Sequence, residues 1–187
     1  NKTGRLMKRE FRFRNSILEC VREYKYLGFI VTPSGEIKTG LEDLRVRSLK
    51  ALIKIRKALG SQFNADVWNT THIFNYMVRP ILLYCSDFWG CLKPPSNNPI
   101  ERFHLSFCKQ LLGVRKQTNT VGVLLELGTV PIELHAKKMA ARNWERICEG
   151  NCNQLLAAAH TESKLENLPW TETMRNVFTS NGKLNKY

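Results

Sequence analysis

Negative charge is what this sequence has least of. Sixteen acidic residues stand against 29 lysines and arginines, leaving a net charge of +13 over 187 residues. Binding a neutral small molecule does not call for such a balance. The simplest partner is a polyanion, because each phosphate met by a lysine or arginine releases condensed counterions and steers association. Long apolar runs are missing as well. The most apolar window, 76–92, is interrupted by Arg79, Pro80 and Asp87 and does not suit a bilayer span. The charged, polar start of the chain has no apolar signal core. The expectation is a soluble protein with no membrane partner, intracellular and either nuclear or cytoplasmic.

Cysteine is present but unorganised. Cys20, Cys85, Cys91, Cys108, Cys148 and Cys152 are scattered, three of them inside apolar patterns, which points to a reducing compartment rather than a disulfide scaffold. Cys148 and Cys152 with His160 downstream could begin a zinc site, but no second close-spaced ligand pair accompanies them, so the reading is of no metal. Motifs of catalysis are absent too. The chain has no phosphate-binding Gly-x-x-x-x-Gly-Lys-Ser/Thr loop, no His-Glu-x-x-His helix and no Gly-x-Ser-x-Gly elbow. The adjacent carboxylates Glu42 and Asp43 begin a helical stretch, where neighbours diverge by about 100°. His72 has no ligand-spaced partner and reads as a helix-surface histidine.

What is present is a short β region followed by basic helices. Phe11 and Phe13 alternate with Arg12 and Arg14, Asn15-Ser16 offers a turn, and Ile17 to Val21 and Tyr24 to Thr32 are rich in strand formers. Together they predict a three-stranded antiparallel meander ending in a Pro33-Ser34-Gly35 turn. From Leu41 to Leu59 the period becomes helical: Leu44, Leu49, Leu52, Ile55 and Leu59 share one face, and Arg47, Lys50, Lys54 and Lys57 line the other. No glutamates are interleaved among those four, so they fit phosphate contact better than a neutralised surface. Gly60 ends the helix.

A second helix runs from an Asn64 cap to about Arg79, with Val67, Phe74, Met77 and Val78 facing a core and Pro80 kinking or ending it. The loop 93–99 precedes a third helix, Ile100 to Leu112, capped by Asn98 with Pro99 first in the helix. Arg115 and Lys116 form a second basic spot on the next loop. A short helix over about 121–127 leads to a longer one from Pro131 to Glu149, with Leu134, Ala141, Trp144 and Ile147 inside and Lys137, Lys138, Arg142 and Arg146 outside. These helices read as a bundle on the basic helix. Leu155 to Ala159 could extend a helix, and Thr171 to Tyr187 reads as a poorly ordered tail.

Three stretches carry a family likeness in their order: Tyr24-Lys25-Tyr26-Leu27-Gly28, then Arg79-Pro80-Ile81-Leu82-Leu83-Tyr84-Cys85-Ser86-Asp87-Phe88-Trp89, then Leu125-Glu126-Leu127-Gly128-Thr129-Val130-Pro131-Ile132. With the basic helix between the first two, the chain over about residues 8 to 150 resembles the end of the reverse transcriptase domain of non-LTR (LINE-type) retrotransposons. Cys85 departs from the pattern, standing where that family usually has glycine.

The resemblance implies a primer grip at Tyr26, Leu27 and Gly28, a helical thumb, and a following connection. The implied division is 1–38 as the edge of a palm, 39–113 as the thumb, and 114–187 as the connection with its tail. Arg47, Lys50, Lys54, Lys57, Arg115 and Lys116 would meet nucleic-acid backbone. The implied partners are an RNA template, an RNA–DNA hybrid or primer duplex, and the palm and fingers of the same polyprotein. The paired-aspartate turn that holds the two catalytic magnesium ions of such a polymerase is absent. The expectation is therefore no catalytic residue and no cofactor in this chain, with magnesium confined to a palm upstream. A start at Asn1 within strand-forming sequence fits a piece of something longer. Two alternatives stay open on the sequence: a non-catalytic nucleic-acid-binding domain derived from such an element, and a helical protein-interaction module. The fold expected in every case is mostly α, with a small N-terminal antiparallel β region.

Overall fold

The computed structural model describes residues 10–64, 66–150, 152–166 and 169–180. It is mostly helical with two small antiparallel strand pairs near the N-terminus, as the sequence predicts. Two compact units divide the chain: 1–84 with 95–119, and 85–94 with 120–187.

The first unit opens on two separate hairpins rather than one three-stranded meander. Strand β1 (Phe11–Phe13) pairs with β2 (Ser16–Leu18), and β3 (Tyr24–Tyr26) pairs with β4 (Phe29–Val31). The charged residues Glu19, Arg22 and Glu23 interrupt the period-two pattern, so β2 stops at Leu18 and does not reach β3. In the second hairpin Tyr24 faces Val31 and Tyr26 faces Phe29. Only Phe29 is buried; both tyrosines are exposed. The expected turn follows, with the Gly35 N–H donating to the Thr32 carbonyl at 3.0 Å.

Helix α1 (Lys38–Leu59) buries Gly40, Leu41, Leu44, Ser48, Leu52 and Ile55. Leu49, predicted on the apolar face, is 37% exposed, and Ser48 takes its place inside. The geometry of the wheel explains the exchange: Ser48 lies at the centre of the buried arc and Leu49 about 100° away from it. Gly60 ends the helix as expected, with a positive φ and its N–H donating to the Arg56 carbonyl.

Beyond a 3₁₀ turn at Gly60–Asn64, α2 (Val67–Ile73) is capped by Asp66 rather than Asn64; the Asp66 carboxylate accepts from the Trp68 N–H at 2.8 Å. The helical path then widens into a π turn (Phe74–Val78) and continues as α3 (Arg79–Leu82). Pro80 does not end it. Its missing N–H falls where the register has already slipped to i→i−5, with Arg79 N–H donating to the Phe74 carbonyl. The slip also rotates the face, so that Phe74 and Val78 are buried while Met77 is exposed. Val67, one residue past its cap, is exposed too.

Helix α5 (Pro99–Leu111) begins as predicted, with Asn98 accepting from the Ile100 N–H at 3.1 Å. The Phe107 ring stacks on Phe74, with centroids 4.0 Å apart. Full burial of such rings contributes about 1.5–3 kcal/mol each, so this pair is a main fastening of the first unit.

In the second unit, α4 (Ser86–Trp89) lies against α7 (Ile132–Cys148), and α6 (Thr120–Glu126) comes between them in the chain. Cys91, Ala140, Trp144 and Met174 form the core. Trp144 and Ile147 are inside as predicted, but Leu134 is half exposed, and Ile132, Ala136 and Ala140 make the buried stripe. Small residues serve there because α4 approaches closely. The chain after Gly150 forms α8 (Gln154–Leu165) and α9 (Pro169–Ser180), so the predicted tail is helical up to Ser180. Thr171 and Met174 anchor it, each 1% exposed, and the Thr171 and Ser163 hydroxyls pair at 2.9 Å. The polar composition hid a face only two or three residues wide. Residues 181–187 lie outside the described residues.

Candidate nucleic-acid interface

The tip of the β3–β4 hairpin is where Tyr26, Leu27, Gly28 and Arg47 of the sequence-predicted site residues meet. A two-residue loop of the type I′ kind matches strand twist with both central residues at positive φ, and Asn-Gly meets that need at least cost. Here the loop is Leu27-Gly28, with φ of 46° and 89°. A leucine in the left-handed region costs about 1–2 kcal/mol, and this one gains no burial in return, being 72% exposed.

Two side chains from other elements hold the loop by its carbonyls. Arg47, on α1, donates to the Gly28 carbonyl at 2.7 Å, and the Tyr84 hydroxyl donates to the Leu27 carbonyl. The Arg47 guanidinium also lies 5.7 Å from the Tyr84 ring centre and pairs with Asp43 at 2.9 Å. The Tyr84 ring sits so close to Gly28 that a Cβ there would touch it at 3.4 Å. Hydrogen bonds from a charged donor contribute about 1.5–3 kcal/mol, toward the low end for a side chain one-third exposed. The clamp therefore offsets the strain of the leucine and leaves Tyr26 and Leu27 presented to solvent.

Arg47 is thus committed to the hairpin and differs from the other cations assigned with it. Lys50, Lys54 and Lys57 are exposed along the far side of α1, and among the described residues none of the three has an ion-pair partner. Arg115 and Lys116 are exposed on the loop after α5, where Lys109 Nζ donates to the Lys116 carbonyl at 2.7 Å. The residue after Tyr84, Cys85, takes φ 56° and ψ 21°, a left-handed conformation that glycine adopts without penalty.

The remaining reactive groups are arranged as packing. Among the described residues none of the six cysteines is in a disulfide. Cys108 lies 3.6 Å from His104 Nε2, but burial pushes its thiol up to about 12, so no thiolate nucleophile forms there at neutral pH. Burial raises Cys91 to about 12 as well. Cys148 is raised by burial, and His160, lowered first by burial, packs edge-on against Trp144 at 4.7 Å. Among the described residues no three His, Cys, Asp or Glu side chains gather at a metal-sized site. No helix among them is long and apolar enough to cross a membrane.

Sequence reasoning missed the clamp and one further feature. His72, read from sequence as a helix-surface histidine, is half-buried and stands between exposed Trp68 and Tyr76, with centroid distances of 4.6 and 6.1 Å. The i, i+4, i+8 spacing of the three rings was the available signal. Comparison with protein-family models, with curated proteins and with solved structures returns no match.

Proposed function

We propose that this chain is the primer-grip, thumb and connection portion of an RNA-directed DNA polymerase of the non-LTR retrotransposon type. It holds an RNA–DNA hybrid or primer duplex for a palm carried elsewhere in the same polyprotein, and it does not polymerise by itself. The observation that carries this reading is the strained, exposed Leu27 at a hairpin tip clamped by Arg47 and Tyr84. Strain kept at an exposed position marks a site under functional constraint. A loop selected only for stability would carry asparagine there. The clamp also joins the Tyr-Leu-Gly strand, the basic helix and the Leu-Leu-Tyr segment, the three stretches on which the resemblance rests up to Tyr84. The left-handed Cys85 adds support, since the family's glycine at that step is the residue this backbone favours.

In this reading Tyr26 and Leu27 meet sugar and base at the primer end, and Lys50, Lys54 and Lys57 follow phosphates without reading sequence. Leu27→Asn separates the two demands on the loop. It raises stability by about 0.5–1 kcal/mol by relieving the left-handed strain, and it weakens binding of a primer–template hybrid about tenfold through loss of apolar contact. Urea unfolding and fluorescence anisotropy measure the two; a variant that gains stability with unchanged affinity removes Leu27 from the interface.

Charge reversal at Lys50 and Lys54 tests the lysine stripe. It lowers affinity for RNA–DNA hybrids of every sequence by about 10–100-fold and reduces the slope of log K against log salt by about 2. Binding that ignores salt, or no binding at low ionic strength, overturns the nucleic-acid reading and leaves the helical interaction module.

A further inference from the structure

A second cationic feature of the first unit lies on a different side of α1 from the lysines. Arg45 and Arg56 are eleven residues apart and so nearly in line, about 140° around the helix from Lys50, Lys54 and Lys57. They border a cleft of about 550 Å³ between α1 and α5, whose opposite wall presents Arg102, Ser106 and Gln110 at successive turns. Three arginines and one carboxylate, Glu42, are the charged residues of the lining.

The arginines are held in different ways. Arg45 grips Glu42 through two nitrogens, Nε at 2.8 Å and Nη2 at 2.6 Å. Glu42 is held below the ordinary carboxylate range by the Arg45 hydrogen bond first, with the fields of Arg45, Arg102 and Lys38 also favouring its charge. Arg56 lies over the Phe63 ring at 5.3 Å and donates to Gln110 Oε1 at 3.3 Å, which fixes its plane. Its Nε is buried and has no hydrogen-bond partner. Arg102 is exposed at the mouth and makes no ion pair shorter than 4.0 Å among the described residues. Three guanidiniums thus face a single carboxylate, beside a hydroxyl and a carboxamide.

We infer that this cleft binds phosphate groups, one at Arg56 and one at Arg102, with Ser106 as a neutral donor between them. Arginine's planar fork fits tetrahedral oxyanions in pairs of hydrogen bonds, and a pre-oriented guanidinium loses little freedom on binding. A neutral or cationic ligand would leave the two charges unmet. The phosphates can be diesters of a nucleic-acid strand or the end of a free polyphosphate. The lysine stripe is not involved, so the site stands or falls apart from the duplex reading.

The test is thermal unfolding of the full chain with inorganic pyrophosphate, against sodium chloride at matched ionic strength. Saturating pyrophosphate raises Tm by about 3 °C. Arg102→Gln, at an exposed position where folding is not at risk, requires at least about tenfold more pyrophosphate for the same shift. Lys138→Gln with Arg142→Gln, which removes two exposed charges from α7, leaves the shift unchanged. No shift in the wild type, an undiminished shift in Arg102→Gln, or an equal loss in the α7 variant overturns the assignment. Adding a single-stranded oligonucleotide then identifies the source: displacement of pyrophosphate, seen as recovery of its sharp ³¹P line, assigns the cleft to a strand backbone, and persistence of the broadened line assigns it to a free polyphosphate.

Discussion

Gly40→Ala destabilises the first unit by about 2 kcal/mol and releases the β3–β4 hairpin from α1. Gly40 is the third residue of that helix, where alanine would ordinarily gain up to about 1 kcal/mol over glycine. A Cβ there, however, would stand 2.4 Å from Phe29 Cζ and 2.8 Å from the Ile30 carbonyl oxygen. Phe29 is 4% exposed and has no free direction to turn, and a backbone oxygen cannot turn at all without moving its strand. Overpacking of this kind costs about 1–3 kcal/mol, more than the propensity gain at a helix's first turn. The hairpin must lift, and with it the Arg47 and Tyr84 contacts lengthen. Hydrogen exchange at Tyr24–Val31 measures the release directly. Protection equal to the wild type would mean that α1 tolerates the methyl by sliding, and that the hairpin does not depend on Gly40.

Gly90→Ala carries the largest effect, about 3 kcal/mol or more on the second unit. The glycine is in ordinary helical φ, so conformational freedom is not the reason for it. An added Cβ would meet the Ala136 carbonyl oxygen at 2.4 Å and its carbon at 2.6 Å, both backbone atoms of α7. Relief requires α4 and α7 to separate, opening the core around Ala140 and Trp144. Trp89 and Trp144 are each 3% exposed, so their fluorescence reports the loss on urea titration. Gly122→Ala is the control. That glycine lies in α6 with nothing within 4 Å of the added methyl, and the same substitution there stabilises by about 0.5–1 kcal/mol. Equal signs at positions 90 and 122 would refute the packing explanation.

The helices were legible where local chemistry decides them. Asn98 and Pro99 start α5, and Gly60 ends α1, because caps act within one turn. The misreadings share a cause of longer range. Leu49 was assigned inward for its hydrophobicity, yet angle on the helix overrode it and placed Ser48 inside instead. Pro80 was expected to kink or end the helix, and it does not end it, because the π turn that accommodates it leaves no mark in composition. The helix Pro169–Ser180 was missed because Thr171, buried beside Ser163, reads as a loop residue.

The candidate site divides the same way. Tyr26, Leu27, Gly28 and the lysines of α1 can be found from sequence, since strand pattern, turn chemistry and helical spacing are local. That Arg47 belongs to the hairpin and not to the lysine row depends on a partner 19 residues away, and Tyr84's role on one 57 away. Among four basic residues of one stripe, nothing in their spacing distinguishes the one already engaged. The arginine cleft was invisible for a related reason: Arg102 acquires its meaning only when α5 is laid beside α1.

The interleaving of the two units bears on the order in which the chain can acquire structure. As it is made from its N-terminal end, α1 and the π turn emerge long before α5, so Phe74 waits without Phe107 while residues 85–94, which belong to the other unit, pass by. Those ten residues in turn wait for α7 to cover Gly90. Neither unit can then be complete before the chain has passed residue 119, and no single cleavage separates them into two whole pieces. Removal of either half leaves the other with an uncovered aromatic or an open helix seam, so the two units share one biosynthetic fate.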